Sequence, residues 1–289
     1  MPVRAKTVLV SLASFVVGLY LAALVALCLW QDQLIFPAPA GFPSSTPAAA
    51  GLRFEDLRIP VDRATHLHAW WLPASPPSRK VILYFHGNGY TLESEAPREA
   101  SLFSATGANL LLAEYRGYGT SSRLQANGSS TEADARAAIR YLTEQKQMAA
   151  SDVIIAGWSI GSAVAARLAA DSPHAGGLVL LSPFTSVPDV ANEAWVFRYL
   201  FRPVEWFTHR NDFDTLARIS SIHIPVLIVT GAQDRLAPPW MARAIYSRAN
   251  QPKFIRLIAG AHHNDLLQAG DGTLVRDIEA ILNPILTNN

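Results

Sequence analysis

The chain has 289 residues, 50% of them hydrophobic, and 24 basic against 23 acidic side chains give a formal charge of +1. That length suits one large α/β domain with an appendage, and near-neutral charge without a basic cluster excludes a nucleic-acid binder of the usual electrostatic kind. A single cysteine, Cys28, excludes an intrachain disulfide and a cysteine-built zinc site.

From the N-terminus, residues 7–30 carry no charge and are dominated by Val, Leu, Ala and Phe. As a helix they rise about 36 Å, enough to cross a bilayer. A cleaved signal peptide has a shorter apolar core and a small-x-small exit, and neither stands near residues 27–30. The bulk of Leu27 argues against lipidation at Cys28. The stretch therefore reads as an uncleaved single-pass signal-anchor. Arg4 and Lys6 precede it, whereas Asp32 follows and the next basic residue is Arg53. That asymmetry keeps residues 1–6 in the cytoplasm and sends the remainder to the periplasmic or extracytoplasmic side. Residues 31–51, QDQLIFPAPAGFPSSTPAAAG, hold four prolines and read as an extended tether. Their LIFP segment is apolar enough to sit at the membrane surface or dock on the domain.

Residues 52–289 read as the folded domain. Two antiparallel strands are predicted over 52–61 and 66–72, joined by a turn at Asp62-Arg63-Ala64. KVILYF, 80–85, is a compact apolar run of the kind buried on both faces of a parallel sheet. It empties into His86-Gly87-Asn88-Gly89. A helix over 92–106 and a strand over 109–113 follow, then a helix over 131–147. In that last helix Glu132, Asp134 and Arg136 are expected outside, with Ala138, Ile139 and Leu142 inside. Further strands are predicted from Val153, over 177–181, over 225–230 and over 254–258. Strands alternating with helical patterns give a mostly parallel, doubly wound α/β sheet. Between 182 and 222 the rhythm breaks, and Trp195, Phe197, Tyr199, Phe201, Trp206, Phe207 and Phe213 crowd together. This reads as a helical insertion at about 186–221, packing its own aromatics, capping an acyl-binding cleft, or both.

VIIAGWSIGSAVAARLAA, 153–170, is strand, sharp turn and helix with Ser159 at the apex. Gly157 and Gly161 stand where backbone crowding tolerates almost no side chain. Three fixed positions recur by chance in roughly one chain in ten of this length, so context must carry the case. A serine hydroxyl is a weak nucleophile; it needs a base within hydrogen-bond reach and an acid to orient that base. Asp234 follows one predicted strand end, His262 and His263 follow the last, and strand ends gather on one sheet edge. Asp189, Asp212 and Asp214 lie in the aromatic insertion, and Asp265 sits too near the histidines to orient one easily, so Asp234 is the candidate acid. Adjacent side chains on an extended loop point to opposite sides, so only one of the two histidines can face Ser159. Two backbone N–H groups must face the developing oxyanion. Ile160 at the helix start offers one, and Asn88 in the HGNG loop offers the other. His86 reads as a brace for that loop, and Arg116 as a brace for the RGYG turn.

HGNG (86–89), EYRGYG (114–119), GWSIG (157–161), SPFTS (182–186), GAQDRLAPP (231–239) and AHHND (261–265) occur in the order expected of one superfamily. Together they resemble the α/β-hydrolases and, more narrowly, single-span serine hydrolases that include protein depalmitoylases and serine-aminopeptidase-like proteins. The resemblance runs from about Leu34 to the C-terminus and includes the LIFP segment. It implies an α/β-hydrolase fold with a short cap, and it aligns His263-Asn264-Asp265 with the family's His-Asn-Asp, making His263 the implied base. Glu114 stands where an Asp is usual, and His262 where a Gly usually precedes the catalytic histidine. The expectation is a membrane-tethered serine hydrolase that cleaves an acyl ester or thioester through an acyl-enzyme. Ser159, Asp234 and His263 are its expected catalytic residues, with no cofactor or metal. A serine peptidase and a catalytically silent membrane scaffold are the alternatives.

Overall fold

The computed structural model of the chain describes residues 3–39, 45–194, 196, 198, 209–269 and 271–282. Its strands are β1 (Glu55–Pro60), β2 (His66–Leu72), β3 (Val81–Phe85), β4 (Asn109–Ala113), β5 (Val153–Trp158), β6 (Gly177–Leu181), β7 (Val226–Gly231) and β8 (Lys253–Ile258). They form one sheet in the order β1-β2-β4-β3-β5-β6-β7-β8. β2 is antiparallel to both β1 and β4, and every other pairing is parallel. The longer helices are α1 (Val3–Ile35), α2 (Leu92–Ser104), α3 (Gly128–Arg140), α4 (Ile160–Ala170), α5 (Val187–Glu193), α6 (Pro239–Arg248) and α7 (Asp271–Leu282).

The central strands need no alternation of apolar and polar residues because helices cover both faces. Val81, Leu83 and Phe85 of β3 join one core with buried residues of α3, α4 and α6. Ile82 and Tyr84 join a second core with Leu92, Ala100 and Phe103 of α2 and Leu274, Ile278 and Ile281 of α7. Each such large side chain stabilises the fold by about 1.5–3 kcal/mol relative to exposure. With the strands parallel, the loops after β3 to β8 meet on one edge of the sheet.

Three local expectations are corrected. The helix expected over 131–147 begins at Gly128, because Asn127 caps it: Asn127 Oδ1 accepts from Ser130 N at 2.9 Å and Ser130 Oγ accepts from Asn127 N at 2.8 Å. Asp134 of this helix, expected outside, is 1% exposed and takes both the backbone N–H and the guanidinium of Arg116. Burial pushes its carboxyl up, against the pull of those hydrogen bonds. The stretch expected to be extended from residue 31 instead stays helical to Ile35, since no proline interrupts it before Pro37. Phe36, preceding that proline, is held away from helical geometry.

Over Thr7–Ile35, α1 is a candidate membrane span, with a mean hydropathy of 2.5 and 6% of its most apolar window buried. Its far end is docked. Asn211 Nδ2 donates to Gln31 Oε1 at 3.1 Å and to Asp32 Oδ1 at 2.5 Å, and Gln125 Nε2 donates to Asp32 O at 3.2 Å. Phe36 is buried between Tyr115 and Phe213. Of the aromatic insertion, Trp195, Phe197, Tyr199, Phe201, Trp206 and Phe207 lie outside the described residues. Phe213 belongs to the core, with the Arg167 guanidinium 4.3 Å from its ring centre.

Candidate active site

Ser159 stands between β5 and α4 with φ 54° and ψ −121°, a conformation that costs a non-glycine residue on the order of 1–3 kcal/mol. The surroundings hold it there. Its N–H donates to Leu181 O at 2.9 Å, and its carbonyl accepts from Ser162 N at 2.9 Å and Ser162 Oγ at 2.6 Å. A Cβ on Gly157 would strike the carbonyl of Gly161, and one on Gly161 the carbonyl of Phe85. The sharp turn is therefore possible only with both glycines.

The structure brings Asp234 and His263 to this serine. Ser159 Oγ lies 2.9 Å from His263 Nε2, and His263 Nδ1 lies 2.7 Å from Asp234 Oδ2. Asp234 is 3% exposed, and its other oxygen accepts from Leu236 N at 2.9 Å and Ala237 N at 2.8 Å. With Nδ1–H donating to the carboxylate, Nε2 is left free to accept from the serine hydroxyl. The His263 carbonyl is fixed by Trp158 Nε1–H at 3.2 Å, so the ring is positioned from β5 as well as from its own loop. The Trp158 indole also fills the space a side chain on Gly87 would need, which ties the HGNG loop to the same framework.

The other candidate acids are engaged elsewhere. Asp189 takes Thr185 Oγ1, Asp212 pairs with Arg167, Asp214 caps Ala217 N, and Asp265 accepts from His262 N. His262 is exposed, with Nδ1 against Gln233 O at 3.0 Å. Asn88 and Ile160 line one cleft with Ser159 and His263. His86 is fully buried, with Nδ1 donating to Gly87 O at 2.8 Å and Nε2 3.1 Å from Glu114 Oε1. Burial opposes its charged form, yet the Glu114 carboxylate outweighs this and holds the imidazole above its ordinary value. Glu114 also accepts from Leu92 N at 3.1 Å, so it links this loop to the start of α2.

The cleft walls are apolar: Phe184, Val187, Val190, Leu236, and also Leu34 and Ile35 from the end of α1. The sequence alone does not mark the last two as site residues. The signal available was the LIFP run directly after the span, which fitted docking without saying where. Among the described residues, one grouping of His, Cys, Asp and Glu could hold a metal: His68, Glu93 and Glu114, on the β2 and β4 side of the HGNG loop.

The family model of the alpha/beta hydrolase fold matches residues 80–209. Protein bem46 of Schizosaccharomyces pombe is 31% identical, over 76% of this chain and 75% of its own. Human alpha/beta hydrolase domain-containing protein 17B is 30% identical, over 71% of this chain and 68% of its own. The solved esterase Pf2001 of Pyrococcus furiosus superposes with a TM-score of 0.72 at 19% identity, covering 86% of this chain and 97% of its own.

Proposed function

The chain belongs to the α/β-hydrolase family, and on that premise we propose that it is a membrane-anchored serine hydrolase cleaving acyl esters or thioesters. The observation that carries the reading is the hydrogen-bonded run Asp234–His263–Ser159 opening into an apolar cleft. Ser159 Oγ attacks the acyl carbonyl while its proton passes to His263 Nε2, and Asp234 stabilises the imidazolium. The backbone N–H groups of Ile160 and Asn88 take the oxyanion. The leaving group departs with the proton from His263, and water then releases the acid by the same steps in reverse.

Ester or thioester is favoured over peptide by the cleft itself. Its described lining holds no carboxylate that would pair with a peptide's α-amino group, and aliphatic residues predominate. α1 is the anchor in this reading, with the N-terminus cytoplasmic and the domain across the membrane. The test is labelling of the full chain with a fluorophosphonate, then a hydrolysis screen over esters, thioesters and amides of graded chain length. Wild-type protein that is folded yet resists the probe would overturn the proposal in favour of a silent scaffold.

A further inference from the structure

Beside the HGNG loop, where β2, β4 and the first turn of α2 meet, is a polar cluster that the proposed hydrolysis does not use. His68 is 4% exposed, and its Nε2 hydrogen-bonds Asp56 Oδ1 at 2.8 Å. That bond occupies Nε2 and leaves Nδ1 facing Glu93. Nδ1 has no hydrogen-bond partner, although it is buried and points at Glu93, whose Oε1 is 3.6 Å away. An imidazole nitrogen and a carboxylate oxygen at that separation call for a positive species between them, and a metal cation is one that fits.

Glu114 is 1% exposed and follows β4, where its N–H donates to His68 O at 3.0 Å. The two glutamates converge on one spot: a Cβ on Gly119 would sit 2.8 Å from Glu114 Oε2 and 3.4 Å from Glu93 Oε2. One ligand atom from each of His68, Glu93 and Glu114 lies within 4.8 Å of the others. A first-row ion bonded at about 2.0–2.2 Å sets such atoms roughly 3.3–3.6 Å apart when tetrahedral, so the atoms need draw in by at most about 1.5 Å. Glu93, whose side chain is 19% exposed, has the freedom to make it and opens the way to solvent.

We propose that His68 Nδ1, Glu93 and Glu114 bind a divalent first-row cation, with Zn²⁺ as the fitting probe. One imidazole and two carboxylates suit Zn²⁺ or Mn²⁺ better than Mg²⁺ or Ca²⁺. The hydrogen bond from the far nitrogen of His68 to Asp56 is the outer support that metal-bound histidines ordinarily have. The ion is structural. It ties β2 to α2 and to Glu114, and Glu114 bears on His86 at the root of the loop that carries Asn88.

The test uses the full chain in detergent, stripped with a chelator and titrated with Zn²⁺ by calorimetry, with melting followed in parallel. One equivalent should bind and raise the melting temperature by several degrees, while Ca²⁺ and Mg²⁺ do neither. Glu93→Gln should weaken Zn²⁺ binding at least tenfold. Asp56→Asn alters an exposed side chain outside the ligand set and should weaken binding by about tenfold through the His68 ring alone. It keeps the proposal open to refutation should Glu93→Gln fail to fold. Wild-type protein that takes up no Zn²⁺, or takes it up no better than Asp56→Asn and Glu93→Gln do, overturns the site. None of these readouts depends on ester turnover, so failure here is separable from failure of the proposed hydrolysis.

Discussion

Ser159 and His263 are joined by one hydrogen bond, and their neighbours fix both ends of it. Ser159→Ala removes one oxygen from a framework otherwise held by backbone bonds. It should abolish fluorophosphonate labelling and leave the melting curve unchanged. The two adjacent histidines separate by partner. His263 lies between Asp234 and Ser159, whereas His262 is exposed and its ring contacts a backbone carbonyl. In the proposed mechanism His263→Ala should reduce ester turnover by several orders of magnitude, and His262→Ala should change it little. The reverse pattern in steady-state rates would reassign the base. Asp234→Asn offers a finer test. It preserves shape but allows the wrong tautomer of His263, and a loss of about 10⁴-fold is expected in kcat.

At the scale of elements, the end of α1 belongs as much to the domain as to the candidate anchor. Phe36 is buried against Tyr115 and Phe213, so Phe36→Ala should destabilise the domain by about 3–5 kcal/mol, read from denaturant unfolding. Leu34 and Ile35 line the cleft. Shrinking either to alanine should cost about 1–3 kcal/mol of transition-state binding for long acyl chains and spare acetyl esters. A chain-length profile that does not move would make these residues structural only. The sequence made the buried strands plain, because 110–113 and 177–181 are unbroken apolar runs with sharp ends. It also put Ser159, Asp234 and His263 on converging loops, since parallel strand ends gather whatever the side chains do. Other features were beyond a local reading. Asp134 fitted the polar face of an amphipathic helix, and only its distant partner Arg116 draws it inward. The grip on α1 comes from Gln125 and Asn211, far along the chain from Asp32. The pairing of His68 with Asp56 and Glu93 depends on β1, β2 and α2 together, and no spacing within one element signals it.

Taken whole, the molecule places its candidate site where its candidate anchor ends. Thr7–Ile35 is the candidate span, and its last two residues are also cleft wall, so under the proposed function an acyl chain at the bilayer surface would have a short route to Ser159. The proposed orientation rests on charge. Arg4 and Lys6 lie before the span, and in the sequence after it the first basic residue is Arg53. Holding two cations on the cytoplasmic side is the favoured arrangement, and the sparse flank beyond the span offers nothing to oppose it. The domain should therefore lie outside the cytoplasm. Protease added to intact cells, after permeabilising any outer envelope, should digest the domain and leave a protected fragment containing α1. Replacing Arg4 and Lys6 with glutamate should weaken that bias and protect a fraction of the chains. If the wild-type domain resists protease until the cells are lysed, the orientation is the opposite one, and the acyl substrates belong to the cytoplasmic leaflet.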